Sequence, residues 1–311
     1  MRKTSWRVMQ AVAGAVILFF LVKGTIRDWG KVREQRIEWH LRWEFIIAAL
    51  IVTWAMYGIL IWGWRAVLSG WRERLRIVDA ARIWSVSSLG KYIPGKIWSI
   101  AGMALMAQQR GVSATAATGS AVIMQLVSLA TGAMLALALA GTDLLNRLVG
   151  GFGATAAIVL ATVALVLAIG LTSPSVTRRI GFLLGRPDVI RPVDPSALAA
   201  ALFANLVAWA GYGISLQLLL LGTLRGVDLP WATATGAFAA SYVLGYIVLF
   251  LPAGIGVRDL ALYLLLRDTI GDAPALAIAA ASRVALTVNE IGVALPFLLF
   301  RSKPSDVALP V

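Results

Sequence analysis

The sequence predicts an all-α, polytopic integral membrane protein: a helical bundle of six spans plus two Pro/Gly-broken re-entrant hairpins, arranged as an inverted repeat. Three observations predict it. Apolar residues make up 59% of the 311 and charged residues 14%, with mean hydropathy +0.83, whereas soluble domains are about half apolar and a quarter charged. Six stretches have the roughly 20 apolar residues that a bilayer crossing takes. Two further apolar stretches are interrupted by proline, glycine and ionisable residues. The whole chain, 1–311, reads as one transmembrane domain.

The same composition excludes several chemistries. The chain has no cysteine, so disulfides, thiolate metal sites and a cysteine nucleophile are ruled out. Its single histidine, His40, leaves no histidine-based metal cluster. Neither a metal nor another cofactor is expected. The net charge of +13 reads as the Lys/Arg excess of cytoplasmic loops, not as a nucleic-acid surface.

The spans are read at 5–23, 45–64, 114–140, 154–171, 197–221 and 275–300. The first has a signal-peptide-like charged start (Arg2, Lys3, Arg7), but no small-x-small cleavage site follows it, so it is read as an uncleaved helix. Between the first two spans, Trp29, Val32, Arg36, Trp39 and Trp43 recur at helical spacing. Segment 23–44 is therefore read as an interfacial amphipathic helix, with a solvated loop as the alternative.

The first broken hairpin is 83–109, with Ser87-Ser88-Leu89-Gly90-Lys91-Tyr92-Ile93-Pro94-Gly95-Lys96 at its break. The second is 232–266, broken at Leu251-Pro252-Ala253-Gly254-Ile255-Gly256-Val257-Arg258-Asp259. Proline lacks the N–H that a continuous helix needs, and glycine loosens the backbone. Irregular backbone at membrane depth survives only against protein or a wet cavity. If each hairpin returns to its own side, Arg72, Arg74, Arg178, Arg179 and both termini fall in the cytoplasm, as the positive-inside rule prefers. The hairpins then enter from opposite sides. Each also has serine, Leu-Gly, an aromatic, proline with glycine, and then a cation in that order, which is the basis for the repeat.

Lys91, Lys96, Arg258, Asp259, Arg283 and Glu290 fall in or beside apolar segments. A charge at the bilayer centre costs about 2.5–3.5 kcal/mol, so such residues face an interior. Lys96 follows Pro94-Gly95, and Arg258 follows Gly254-Ile255-Gly256, each starting a half-helix. Unpaired N–H groups and the dipole at such a start favour an anion, and phosphate is the anion that lipids carry. The candidate anion-binding set is Lys91, Tyr92, Pro94, Gly95, Lys96, Gly254, Gly256, Arg258 and Arg283. Asp259 and Glu290 are the candidates for gating or proton coupling.

A purely structural account stands beside this one. Arg258 pairs with Asp259 or Glu290, Arg283 pairs with Glu290, and Lys91 and Tyr92 are interface anchors. Asp79 and Asp143 read as loop residues. Gln125, Asn205 and Gln217 read as interhelical hydrogen-bonding groups, and Trp and Tyr near span ends as interface belts. Gly119, Gly132, Gly211 and Gly213 read as close-packing positions.

The Leu-Gly-Lys-Tyr-Ile-Pro-Gly-Lys-Ile-Trp run at 89–98 resembles the first signature of the lysylphosphatidylglycerol synthase transmembrane, or flippase-like, superfamily. Pro-Ala-Gly-Ile-Gly-Val-Arg-Asp at 252–259 resembles the second, with Ala253 where glycine is usual and Asp259 where glutamate is usual. The resemblance implies a multi-pass plasma-membrane protein of a bacterium or archaeon that moves lipids. No aminoacyltransferase domain is recognised in the 311 residues, so aminoacyl transfer is not expected. The leading expectation is a translocase for a phosphate-bearing lipid: an anionic phospholipid, a polyprenyl-phosphate or a lipid-linked sugar. The alternatives are a membrane-embedded lipid-phosphate transferase or phosphatase, and a non-transporting partner of a glycosyltransferase. Homo-oligomers are compatible with each.

Overall fold

The computed structural model describes residues 40–93, 97–148, 151–183, 191–248 and 251–299. Every regular element among them is helical. In chain order they are α1 (Trp43–Gly70), α2 (Ile77–Ser88), α3 (Ile97–Gln108), α4 (Ala114–Leu135) and α5 (Thr142–Leu148). Then come α6 (Gly153–Gly170), α7 (Pro174–Leu183), α8 (Pro195–Thr223), α9 (Trp231–Ile247), α10 (Val257–Ile270) and α11 (Asp272–Leu299). A π-turn, Ala136–Ala140, extends α4, and 3₁₀ turns at Leu89–Tyr92 and Pro252–Gly254 lie within the two hairpins.

Helices α1, α4 with its π-turn, α6, α8 and α11 are long and apolar enough to span a membrane. They match five of the six expected spans. The expected span at 5–23 and the amphipathic segment as far as residue 39 lie outside the described residues, as do Pro94, Gly95 and Lys96. The outward faces carry Ile47, Ile51, Val159, Val163, Phe203 and Val288. Apolar side chains on both faces are what a helix between protein and lipid requires.

Helices α1 and α8 form the most extensive helix pair. Small residues permit it. A Cβ on Gly63 would fall 2.7 Å from the Ala204 Cβ, and one on Gly211 would fall 2.1 Å from the Met56 sulfur. The other expected packing glycines behave alike. Gly119 abuts Trp71, Gly132 abuts Trp209, and Gly213 leaves no room beside Thr235. Close backbone approach gains dispersion contacts where lipid offers no hydrophobic driving force. Helix α8 starts at a strong cap: Asp194 accepts from the Ser196 amide at 2.8 Å, and Pro195 fills the first helical position.

Two loop expectations are corrected. Asp79 sits in the first turn of α2, buried, where it pairs with Arg76 and Arg110 at 2.7 Å each. A carboxylate near a helix start meets the dipole favourably, and its two partners compensate its burial. Asp143 likewise belongs to the first turn of α5, not to a loop.

Both hairpins fold back on themselves. Helix α2 packs on α3, and α9 packs on α10. With 12 residues in each of α2 and α3, and 17 and 14 in α9 and α10, the arms are about 18–26 Å long, short of the roughly 30 Å hydrocarbon core. The hairpins run slightly beyond the expected boundaries, to Ile77 and to Ile270. Gly90 and Gly245 close them. A Cβ on Gly90 would lie 2.7 Å from the Ser99 amide, and one on Gly245 would lie 2.8 Å from the Arg258 Cβ.

Two apolar cores form at different levels of the long spans. One gathers Trp64, Val67, Ile83, Ile123, Val127 and Ala197. The other gathers Ala49, Trp209, Leu216, Phe238, Leu265 and Ile278. Helices α1, α4 and α8 pass through or beside both, leaving the middle of the bundle between them.

Candidate functional site

The middle of the bundle is hollow. A cavity of about 220 Å³ is lined at mid-length by Tyr57 of α1, Gln125 of α4, Asn205 of α8 and Leu286 of α11. Both hairpins supply the rest of its wall: Lys91 and Tyr92 from the first, and Ala253 and Arg258 from the second. The two 3₁₀ turns touch. Residues nearly two hundred positions apart are thereby brought to one chamber.

Helix α11 fastens both hairpins. Glu290 is buried and pairs with the Lys91 ammonium of the first hairpin. It also accepts the Tyr92 phenol proton at 2.8 Å. Thr287 stands 3.4 Å from the same phenol oxygen. One proton cannot serve both well, and the carboxylate is the nearer and charged acceptor. One face further along, Arg283 Nε donates to the two Asp259 oxygens at 2.9 and 3.2 Å, and Nη1 donates to the Ala253 carbonyl at 3.3 Å.

The expected Arg283–Glu290 pair is therefore absent, for a geometric reason. Seven residues along a helix separate two side chains by about 10 Å of rise. Each reaches a different hairpin instead. Lys91 and Tyr92 are likewise not interface anchors, because their polar ends turn inward to Glu290.

Arg258 is different. It is 4% exposed and is the second residue of α10, one after Val257, in the first turn as expected. Asp259 does not pair with it, since that carboxylate holds Arg283 and accepts from the Gly256 amide at 3.1 Å, capping the helix. Glu290 is held by Lys91. Arg258 Nη2 donates to Ser282 Oγ at 3.2 Å, and the guanidinium lies 4.8 Å from the Phe238 ring centre. Its Nε has no partner, and among the described residues no carboxylate stands within ion-pair distance. A buried cation that is incompletely neutralised at a cavity wall is a place for an anion.

The backbone before it is built for close approach. Gly254 and Gly256 have φ of +64° and +83°, and Gly254 packs on the Gly245 carbonyl. Ala253 also sits at a positive φ, +49°, where a Cβ costs about 1 kcal/mol. An Ala253→Gly variant is expected to raise stability by up to about that amount, read as a higher thermal midpoint in detergent.

Sequence reasoning missed the aromatic wall. Trp84, Trp209, Tyr212, Tyr242 and Tyr246 line the cavity. Trp209 meets Tyr242 edge-on at 5.2 Å, and Tyr212 stacks on Phe238 at 5.2 Å. Their spacing carried the signal: Trp209/Tyr212 and Phe238/Tyr242/Tyr246 each share a helix face. Of the expected hydrogen-bonding groups, Gln217 donates to the Leu229 carbonyl at 2.5 Å and Asn205 to the Ala201 carbonyl of its own helix. Gln125 faces the cavity with its amide nitrogen unpartnered.

Comparison with known proteins adds one finding to this geometry. Residues 7–289 match the model of the family described as the lysylphosphatidylglycerol synthase TM region. No curated protein matches the chain.

Proposed function

Because the chain belongs to the lysylphosphatidylglycerol synthase TM-region family, an integral membrane family of lipid-related processes, we propose that it is a translocase for a phosphate-bearing lipid. The observation that carries this reading is Arg258: a buried cation without a carboxylate partner among the described residues, at a cavity halfway along the spans. The phosphate sits against Arg258, and the acyl or prenyl tails stay in the bilayer. A chamber of about 220 Å³ holds a head group and not a whole lipid, since pockets for drug-sized ligands begin at about 300 Å³.

In this reading both hairpins are re-entrant, dip from opposite leaflets and form the two halves of an inverted repeat. Their short arms and touching turns support this. The membrane is the plasma membrane of a bacterium or archaeon, with both termini in the cytoplasm. The Arg283–Asp259 and Lys91–Glu290 pairs act as gates, each releasing one hairpin from α11.

The test is a vesicle assay. The chain is reconstituted into liposomes with acyl-chain-labelled phosphatidylglycerol, and albumin back-extraction reports the outer leaflet. The expected result is protein-dependent exchange between leaflets with the lipid chemically unchanged. A covalently altered head group would replace this reading with a lipid-phosphate transferase or phosphatase. Unmoved lipid, whether phosphatidylglycerol or a polyprenyl-phosphate, would leave a structural partner of a glycosyltransferase.

A further inference from the structure

Beyond the phosphate contact, the cavity has a second character. Away from its cations, its polar lining is neutral: Ser85, Ser88, Gln125, Ser128 and Asn205. Two buried atoms there lack a partner, Ser85 Oγ and Gln125 Nε2. A buried unpartnered amide or hydroxyl carries a desolvation cost that a ligand hydrogen bond removes. The Trp84, Trp209 and Tyr242 rings line the same cavity.

An aromatic chamber admits two ligand chemistries. One is an organic cation over the ring faces. The other is a hydroxylated ring whose C–H face stacks on an aromatic while its rim hydroxyls take hydrogen bonds. The charge count decides between them. Lys91, Arg258 and Arg283 line the cavity against one carboxylate, Glu290, which Lys91 and Tyr92 already occupy. Asp259 is engaged by Arg283. No free carboxylate is left among these for an ammonium, and the field repels a further cation.

We infer that the site takes a head group in which the phosphate carries an uncharged hydroxylated ring, of hexosyl or inositol type. The phosphate lies on Arg258, and the ring lies among Trp84, Ser85 and Gln125. The inference rests on the anion-binding reading above and narrows it to one substrate class.

The test uses the purified full-length chain in detergent, with Trp84 and Trp209 as fluorescence reporters. The probes are glucose 1-phosphate, inositol 1-phosphate, inorganic phosphate and phosphoethanolamine. One or both ring phosphates are expected to bind about tenfold tighter than inorganic phosphate, with phosphoethanolamine weakest. Gln125→Met, close in shape, is expected to remove most of that preference and leave phosphate affinity unchanged. Equal binding of all four probes, or tightest binding of phosphoethanolamine, overturns the ring inference and leaves the anion site standing. Binding of none overturns both. Loss of the ring preference in wild type needs no variant to read, so a Gln125 variant that fails to fold does not shield the claim.

Discussion

Glu290→Ala is expected to lower stability by about 2–3 kcal/mol and to loosen the first hairpin. Removing one member of a buried ion pair costs about 3–5 kcal/mol, because the other charge is left uncompensated. The lower figure applies here because the Lys91 side chain keeps 31% of its surface exposed and regains some solvent. The Tyr92 phenol also loses its 2.8 Å acceptor. Glu290→Gln, which keeps the volume and an acceptor for Tyr92, should cost about half as much. A Lys91→Met/Glu290→Leu double variant separates fastening from gating. Replacing both partners by apolar groups is often neutral for stability, so the double variant should melt near wild type yet lose exchange of lipid. Thermal unfolding in detergent and the vesicle assay read the two effects. An unchanged midpoint for Glu290→Ala would mean that α11 does not hold the first hairpin through this residue.

Much of the fold was legible because its signals are local. Long apolar runs gave four of the five described spans to within three residues, since length and hydropathy decide a span without reference to neighbours; the span expected at 45–64 runs on to Gly70. Proline and glycine gave both breaks for the same reason, and Gly254 and Gly256 adopt the positive φ that only glycine takes easily. The packing roles of Gly119, Gly132, Gly211 and Gly213 followed from the need for close helix approach.

Side-chain partners were not legible. Sequence spacing places Arg283 and Glu290 on one face, but it cannot tell that each reaches a different hairpin. That depends on tertiary contacts of α11 with a hairpin almost two hundred residues before it and with another some 24–30 residues before it. The aromatic wall was missed because only Trp and Tyr near span ends have a default role, at the interface, whereas Trp209 lies mid-span in α8. Of Asp79's two partners, Arg76 is three residues away in sequence, but Arg110 lies beyond α3, where no local pattern connects them. Ala253 shows the reverse case. A residue departing from the family's glycine proves to sit at φ +49°, so the departure marks a strained position.

Arg258→Met is expected to reduce lipid exchange by roughly 10–100-fold while leaving stability unchanged or raised. The loss follows from removing charge-assisted hydrogen bonds to a phosphate, each worth about 1.5–3 kcal/mol. The stability follows from the partners of the guanidinium. A buried guanidinium with one serine hydroxyl and one ring for company is incompletely compensated, and an apolar side chain that keeps much of its stem removes the burden. Arg258→Lys keeps the charge without the planar fork and should fall between. This opposition of stability and activity separates a ligand site from a structural cation, which would lose both together. The most direct measurement is therefore the exchange rate and the thermal midpoint of Arg258→Met, taken on the same preparation. Slow exchange in a protein at least as stable as wild type is the predicted result. Wild-type exchange, or a midpoint lowered as far as that of Glu290→Ala, would contradict the account.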